Sequence, residues 1–429
     1  MTEWQYLAGF GNEFESEALE GALPKGQNNP QSLKYGLYAE QISGSAFTAK
    51  DNVRSWFYRI QPSVTHSSYR ALKKGLFGAD TQNRAPSPEQ MRWNPITIPT
   101  EETTFLDGLV TLLENGDVAS QSGCAIHLYA ANRSMNHTAF VSADGDFLIV
   151  PQVGGIRLTT EFGVMDVNPG EISVIQRGMK FKVDLLHESA RGYICENYGE
   201  HFRLPYRGPI GANGLANQRD FLTPVARFEN LSNSYKVVTK FNNNLWEYDM
   251  DHSPFNVVAW HGNYVPYKYD LSLFNTMNTV SYDHPDPSIF TVLTSSTSVE
   301  GRANLDFVIF PPRWMVAEKT FRPPYYHLNI MSEYMGLIHG SYDAKPADGF
   351  LPGGGSLHNC MTAHGPDAQA FASGTAASLA PEKYENTMAF MFESCMAFRQ
   401  TDYALHGECR QKNYLDCWQG LKNQFHQGQ

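Results

Sequence analysis

Side chains suited to metal binding are concentrated in the last third of the sequence. They are His284, His327, Glu333, His339, His358 and His364. Two imidazoles and one carboxylate on one side of an ion, with open positions opposite, are typical of non-haem Fe(II) oxygenases. Open positions let a substrate and O2 bind together, although the same ligand types also suit zinc and manganese. We therefore predict a metal pocket between residues 321 and 367.

The spacing of His327 and Glu333 requires the chain to reverse between them. Six residues span about 20 Å on a straight strand, and they turn through roughly 600° on a helix, so neither element brings both side chains to one ion. We expect LNIMS (328–332) to be a tight turn between a strand ending at His327 and a strand starting at Glu333. The segment LPGGGS (351–356) then returns the chain. Geometry alone leaves three candidates for the third ligand: His339, His358 and His364.

The composition favours many short strands over long helices. Of 429 residues, 42% are hydrophobic and only 18% are charged, which is ample for a buried core. The 35 glycines and 24 prolines favour turns. We expect a mainly β fold, and the length predicts two domains.

Charge and cysteine usage argue against several classes of protein. The net charge is -11 and no run of Lys or Arg occurs, so we expect no nucleic-acid partner. The sequence has no apolar run of about 18 residues and no export signal at its N-terminus, so we expect no membrane association. The six cysteines lack CxxC spacing, which indicates reduced thiols and a cytoplasmic location.

Strand patterns recur along the chain. The segments LYAEQISGSAF, SWFYRIQPSV and WNPITIP predict early strands, but four prolines restrict residues 85–99 to an edge strand or a loop. Residues 139–183 alternate short apolar strands with glycine turns, which predicts a meander closing into a sandwich or small barrel. Later strands are predicted at IFTVLTSS, ANLDFVIFPP and TMAFMFES.

The two ends of the chain have distinct patterns. Residues 1–35 are rich in Gly, Asn, Gln and Pro, and we expect an extended arm whose aromatic side chains pack on another surface, such as a neighbouring subunit. The last 25 residues place four apolar side chains near helical spacing and predict an amphipathic helix. These are Tyr414, Cys417, Leu421 and Phe425.

Long, specific segments over essentially the whole chain match one known family. The first half carries YLAGFGNEFESEALEGALP, GLYAEQISGSAFT, DFLIVPQ and TEFG. The second half carries YDHPDPSIFTVLT, FPPRW, FRPPYYH, MSEYMG, FLPGGGSLH and MTAHGPD. On these segments the sequence resembles the homogentisate 1,2-dioxygenase family.

The resemblance implies a cupin-like β-sandwich or barrel in each half, with few helices. With a soft boundary near residue 280, we expect residues 1–280 to form an N-terminal domain with the arm and a metal-free meander, and residues 281–429 to hold the iron site.

The resemblance also implies an activity and a set of residue roles. It implies an Fe(II) enzyme that opens the ring of homogentisate with O2, in an extradiol-type cleavage, to give maleylacetoacetate in tyrosine and phenylalanine catabolism. The family's ligands fall on His327, Glu333 and His364, and its catalytic base falls on His284. Its substrate-contacting tyrosine falls on Tyr342, and His364 is also expected to touch the substrate.

The same resemblance places His358 beside the metal ligands or in the substrate pocket. A common cupin pattern has HxH before its glutamate, but here the second position is Asn329, which cannot be the usual ligand. The family's assembly implies a hexamer built as a dimer of trimers. Two other functions remain open: ring cleavage of a related substrate such as gentisate, and a non-catalytic bicupin that binds a metal or a small ligand.

Overall fold

The computed structural model describes residues 4–44, 52–73, 75–78, 81, 83–342 and 349–426. The end of the predicted strand LYAEQISGSAF lies outside these residues. Within the described part of the chain there are 28 strands and only two α-helices, so the predicted mainly β fold is confirmed. The helices are α1 (Ala368–Ala376) and α2 (Asp402–His406). Short 3-10 helices span Lys34–Gly36, Gly208–Ile210, Gln218–Asp220, Leu271–Leu273, Pro287–Phe290 and Tyr414–Trp418.

Twenty of the strands precede residue 271. They are β1 (Tyr6–Ala8), β2 (Phe14–Glu17), β3 (Tyr38–Ser43), β4 (Arg54–Arg59), β5 (Arg70–Leu72), β6 (Met91–Trp93), β7 (Leu109–Glu114), β8 (Cys124–Ala131), β9 (Thr138–Ser142), β10 (Asp146–Val153), β11 (Ile156–Thr160), β12 (Gly163–Val167), β13 (Glu171–Ile175), β14 (Phe181–Leu185), β15 (Ala190–Asn197), β16 (Phe221–Pro224), β17 (Tyr235–Phe241), β18 (Asn244–Met250), β19 (Val257–Gly262) and β20 (Tyr267–Asp270).

Eight strands follow. They are β21 (Thr291–Ser296), β22 (Ala303–Phe310), β23 (Arg313–Met315), β24 (Ser332–His339), β25 (Gly355–His358), β26 (Glu382–Tyr384), β27 (Met388–Ser394) and β28 (Arg399–Gln400). The strands predicted at IFTVLTSS, ANLDFVIFPP and TMAFMFES are therefore present as β21, β22 and β27.

A nine-stranded sheet forms the central layer of the molecule, in the order β1-β16-β20-β13-β10-β15-β8-β7-β28. Successive side chains of a strand point to opposite faces, so a strand covered on both sides is apolar throughout. In β10, Leu148 and Val150 join one core cluster with Phe392 of β27, whereas Phe147 and Ile149 join a second cluster with Phe181 of β14. The central sheet is thus packed between two others.

A different sheet covers each face of the central sheet. A seven-stranded sheet, β12-β11-β14-β9-β17-β18-β5, lies on one face of the central sheet, and a six-stranded sheet, β21-β22-β27-β24-β25-β6, lies on the other. A four-stranded sheet (β2-β19-β4-β3) and the pair β23-β26 complete the fold. The predicted meander of residues 139–183 forms strands β9–β14, which are divided between two sheets packed as a sandwich.

Each half of the chain supplies an edge strand to a sheet of the other half. Strand β6, from the proline-rich segment, lies at the edge of the six-stranded sheet beside β25. Strand β28 pairs with β7 at the edge of the central sheet. The expectation that residues 85–99 form only edge strand or loop is confirmed. The strand predicted at WNPITIP (93–99) is wrong: β6 covers Met91–Trp93, and the ladder ends at Trp93, before Pro95.

The N-terminal arm packs on its own chain. Strand β1 pairs with β16, β2 pairs with β19, and the Phe10 ring contacts Phe221 and Tyr267 with ring centres 4.9 and 5.2 Å apart. The arm's aromatic side chains therefore have partners in the sheets of this chain.

The predicted C-terminal helix is wrong. Only the 3-10 helix Tyr414–Trp418 forms there, and among the four apolar residues only Tyr414 is fully buried, while Leu421 and Phe425 are exposed. An amphipathic helix depends on burying a continuous apolar face, and within the described part of the chain Leu421 and Phe425 are not buried. No helix among the described residues is both long and apolar enough to cross a membrane.

Candidate metal centre

Three of the predicted ligands converge on the outer face of the six-stranded sheet. In β24, Tyr334 and Ile338 point into the core against the central sheet, which places Glu333 on the opposite face. His327 lies before the strand and forms an isolated antiparallel bridge with His364. The two backbone hydrogen bonds of this bridge have nitrogen-to-oxygen distances of 2.9 and 3.1 Å. The chain bends at residues 330–331.

The predicted strand ending at His327 is thus a single bridge. The predicted strand at Glu333 begins one residue earlier, at Ser332. The reversal between the two residues is achieved by an irregular segment, in which the Asn329 side-chain oxygen accepts the N–H of Met331 at 2.9 Å. Such a side-chain contact two residues along the chain replaces regular turn hydrogen bonds.

The potential ligand atoms are close enough to share one ion. One ligand atom from each of His327, Glu333 and His364 lies within 4.8 Å of the others. His364 Nε2 is 2.9 Å from Glu333 Oε2, and His327 Nε2 is 3.8 Å from Glu333 Oε1. No other group of three or more His, Cys, Asp or Glu side chains with this geometry occurs among the described residues.

The two imidazoles are oriented by the backbone. His327 Nδ1 lies 2.8 Å from the carbonyl oxygen of Tyr325, and His364 Nδ1 lies 2.9 Å from the carbonyl oxygen of Thr362. A carbonyl only accepts, so each Nδ1 carries the proton and donates it. In the neutral ring each Nε2 then keeps the lone pair that a metal ion requires, and in the absence of a metal the same nitrogen can carry a proton toward Glu333. Backbone contacts of this kind fix a metal ligand's ring angle.

The charges at the site favour an ionised carboxylate. Burial alone would raise the pKa of Glu333, but hydrogen bonding and charge from His327 and His364 outweigh it and hold the pKa at about 2. In turn, the hydrogen bond to Glu333 raises the pKa of His327 above its ordinary value. The buried carboxylate is thus stabilised by the two imidazoles beside it, at the position where a divalent ion would also balance its charge.

Glu333 belongs to a polar row that crosses four strands. Its neighbour in β27 is Glu393, whose neighbour in β22 is Asp306, and its neighbour in β25 is His358. All four side chains line one cavity. Burial raises the pKa of Glu393 to about 8, with repulsion from Glu333 and Asp306 adding to it, and burial also raises the pKa of Asp306.

The remaining histidine candidates lie in different environments. His358 is buried, its ring stacks on His364 with centres 4.1 Å apart, and its Nε2 lies 2.8 Å from the hydroxyl of Tyr414. His339 is exposed at the far end of β24. Of the three candidates for the third ligand, His364 therefore contacts Glu333, His358 stacks on His364, and His339 lies at the other end of β24 from Glu333.

A cavity of about 500 Å³ opens beside the three ligands and contains the two other predicted site residues. His284 lines it, with Nε2 3.0 Å from the carbonyl oxygen of Phe321. Tyr342 lines it as well and packs edge-on against Phe310 and Phe350. Met335 and Met391 contribute apolar surface. A cavity with apolar walls and a few convergent polar groups is the usual form of a small-molecule site.

Sequence reasoning missed several polar residues of the site. Asp306 and Glu393 each interrupt an apolar strand, in NLDFVIF and FMFES, and a lone acid in a strand that is otherwise buried was the available signal. Asn329 was noted only as a missing ligand, whereas its amide contacts two carboxyl groups. Nothing in the local sequence indicated that Tyr414 contacts His358.

Several solved structures match the chain weakly and share little sequence with it. One is a putative dioxygenase from Nostoc punctiforme, with 11% identity, a TM-score of 0.31, and coverage of 80% of this chain and 86% of that one. Another is a cupin 2 conserved barrel domain protein from Leptotrichia buccalis, with 11% identity, a TM-score of 0.26, and coverage of 70% and 92%. A third, from Pseudomonas syringae, has no known function; its identity is 14%, its TM-score 0.32, and coverage is 72% and 100%. These similarities are too low to carry a functional argument.

Family models give a direct assignment. A model described as homogentisate 1,2-dioxygenase N-terminal matches residues 5–271, and one described as homogentisate 1,2-dioxygenase C-terminal matches residues 272–425. Together they span nearly the whole chain, including every residue of the candidate metal centre. The chain belongs to the homogentisate 1,2-dioxygenase family of non-haem iron dioxygenases.

Proposed function

We propose that this protein uses Fe(II) and O2 to open the aromatic ring of homogentisate, giving maleylacetoacetate in tyrosine and phenylalanine catabolism. The observation that carries the proposal is the convergence of His327, Glu333 and His364 beside the cavity, with both imidazole Nε2 atoms directed toward the carboxylate. Family membership supplies the substrate class.

The donor set fits a divalent iron. Two neutral imidazoles and one ionised carboxylate are the ligands of the non-haem Fe(II) oxygenases, and the described residues supply no fourth ligand of the same geometry. When bound, Fe(II) supplies a Lewis acid for the substrate's phenolic oxygen and an electron source for O2.

His284 is the proposed base for the phenolic proton. Its Nε2 faces the carbonyl oxygen of Phe321, so Nε2 carries the proton and Nδ1 holds the free lone pair. A base with this tautomer in the cavity wall can take a proton from a substrate hydroxyl. Tyr342 is proposed to orient the substrate with its hydroxyl, while its ring is held by Phe310 and Phe350.

We propose the same assembly that the family implies, a hexamer built as a dimer of trimers. Exposed apolar side chains at the cavity mouth, Tyr325, Leu328 and Ile330, favour a face that another subunit covers. Sedimentation of a monomer at micromolar concentration would contradict this assembly without affecting the proposed chemistry.

Oxygen uptake tests the activity. The purified protein is loaded with Fe(II) without oxygen and then mixed with O2 and either homogentisate or gentisate. We expect stoichiometric O2 consumption with homogentisate and formation of the ring-opened product. Faster turnover of gentisate would indicate a different ring-cleaving enzyme, and a protein that holds iron but consumes no O2 with either acid would indicate a binding function.

A further inference from the structure

Asn329 makes three hydrogen bonds that together fix its amide. Its Oδ1 accepts the backbone N–H of Met331 at 2.9 Å. Because an amide oxygen cannot donate, this contact assigns the opposite end as the NH2 group. The two N–H bonds go to two different carboxyl groups, Glu333 Oε1 at 2.7 Å and Glu393 Oε1 at 3.0 Å.

The two carboxyl groups would otherwise face each other directly. Glu333 and Glu393 are cross-strand neighbours in β24 and β27, where side chains on the same face begin about 5 Å apart. A carboxylate oxygen that has no hydrogen-bond donor leaves the group free to rotate about its last bond. The Asn329 amide bridges them and donates to Glu333 Oε1, the oxygen 3.8 Å from His327 Nε2, while Oε2 faces His364.

We propose that Asn329 is a positioning residue that holds the Glu333 carboxylate in the orientation that the metal ion requires. The inference rests on the proposed function, because it needs a metal at His327, Glu333 and His364. An imidazole at position 329 would add a ligand, whereas the amide orients an existing ligand and leaves a coordination position for substrate or O2. Hydrogen-bonding partners of metal ligands typically change metal affinity by about 10–100-fold when removed.

The test compares two matched substitutions. Asn329→Ser keeps an oxygen that can accept the Met331 N–H, so the bend is retained while both donated bonds are lost. Asn132 is a natural control, because its amide also donates two hydrogen bonds, to Pro99 O and Glu101 O at 2.8 and 2.9 Å, and accepts one, from Thr103 N at 2.8 Å. Asn132 is half-buried like Asn329 but does not line the cavity.

Metal affinity is measured by anaerobic titration with Fe(II) and with Co(II), and the Co(II) absorption spectrum reports the ligand geometry. We expect Asn329→Ser to bind both ions about 10–100-fold more weakly with an altered Co(II) spectrum, and Asn132→Ser to match the wild type in both. The Tm of each metal-free protein is recorded alongside.

The outcomes separate the inference from the proposed function. A wild-type protein that binds neither ion would reject the metal site itself. A wild type that binds normally, with an Asn329→Ser variant of equal affinity and unchanged spectrum, would reject only the role of Asn329. If Asn329→Ser fails to fold, or loses far more Tm without metal than Asn132→Ser, the residue is structural and the positioning role is overturned.

Discussion

Glu333 and Glu393 face each other across adjacent antiparallel strands, yet the pKa of Glu333 is lowered and the pKa of Glu393 is raised. Both are buried, and burial raises the pKa of a carboxyl group. Glu333 has two imidazole neighbours that overcome burial and set its pKa at about 2, whereas Glu393 has the Glu333 charge beside it and a pKa of about 8. At neutral pH one of the pair is therefore ionised and the other protonated.

The first prediction concerns the pH dependence of stability. Between the ordinary carboxyl pKa of about 4.5 and about 8, folded Glu393 holds a proton that the unfolded chain has lost, so its contribution to stability decreases as pH rises. Glu393→Gln removes this penalty and keeps an oxygen for Asn329. We expect the metal-free variant to have a higher Tm than the wild type at pH 8, by an amount equivalent to up to about 4 kcal/mol, and a similar Tm at pH 4.5.

Glu188→Gln is the control for this measurement, because Glu188 is exposed. Its Tm is expected to follow the wild type at both pH values. A Glu393→Gln variant with the same Tm difference from wild type at both pH values would show that the effect is unrelated to protonation.

The second prediction concerns the metal ligands. Removing His327 or Glu333 leaves two donors, so His327→Ala and Glu333→Ala are each expected to lose most bound iron when measured by metal analysis after anaerobic loading. His339→Ala is the matched control, since His339 lies exposed on the same strand as Glu333. Full iron content in either ligand variant would remove that residue from the coordination sphere.

Local patterns predicted the elements that carry the site. The strand around Glu333 and the reversal before it follow from spacing alone, because two side chains six residues apart cannot otherwise meet. The apolar runs that became β21, β22 and β27 were recognisable because strands buried on both faces lack polar alternation.

Contacts between distant residues could not be predicted in this way. Asn329 and Glu393 are separated by 64 positions, and His358 and Tyr414 by 56, so their contacts depend on strand order rather than on local pattern. The C-terminal helix failed for the same reason: Tyr414 is buried beside His358, whose Nε2 lies 2.8 Å from its hydroxyl, while Leu421 and Phe425 are exposed. Periodicity indicates which face is apolar but not whether a partner exists.

The third prediction concerns His284. If it takes the phenolic proton, His284→Ala should keep its iron and lose about 10²–10⁴-fold in kcat. His284→Gln is the informative companion, because an amide can still donate to the Phe321 carbonyl oxygen but cannot accept the proton. We expect it to be as inactive as His284→Ala. Normal kcat in both variants would exclude His284 as the base.

The last prediction concerns Tyr342. Its buried ring packs between Phe310 and Phe350, with ring centres 5.7 and 6.1 Å away, so Tyr342→Phe preserves the packing and removes only the hydroxyl. One hydrogen bond to the substrate is worth about 0.5–1.5 kcal/mol, so kcat/KM for homogentisate should decrease by roughly 3–10-fold while iron content stays at the wild-type level. Steady-state kinetics and metal analysis on the same preparation separate the two effects. Unchanged kcat/KM would show that the hydroxyl does not contact the substrate, and loss of iron would place it with the ligands instead.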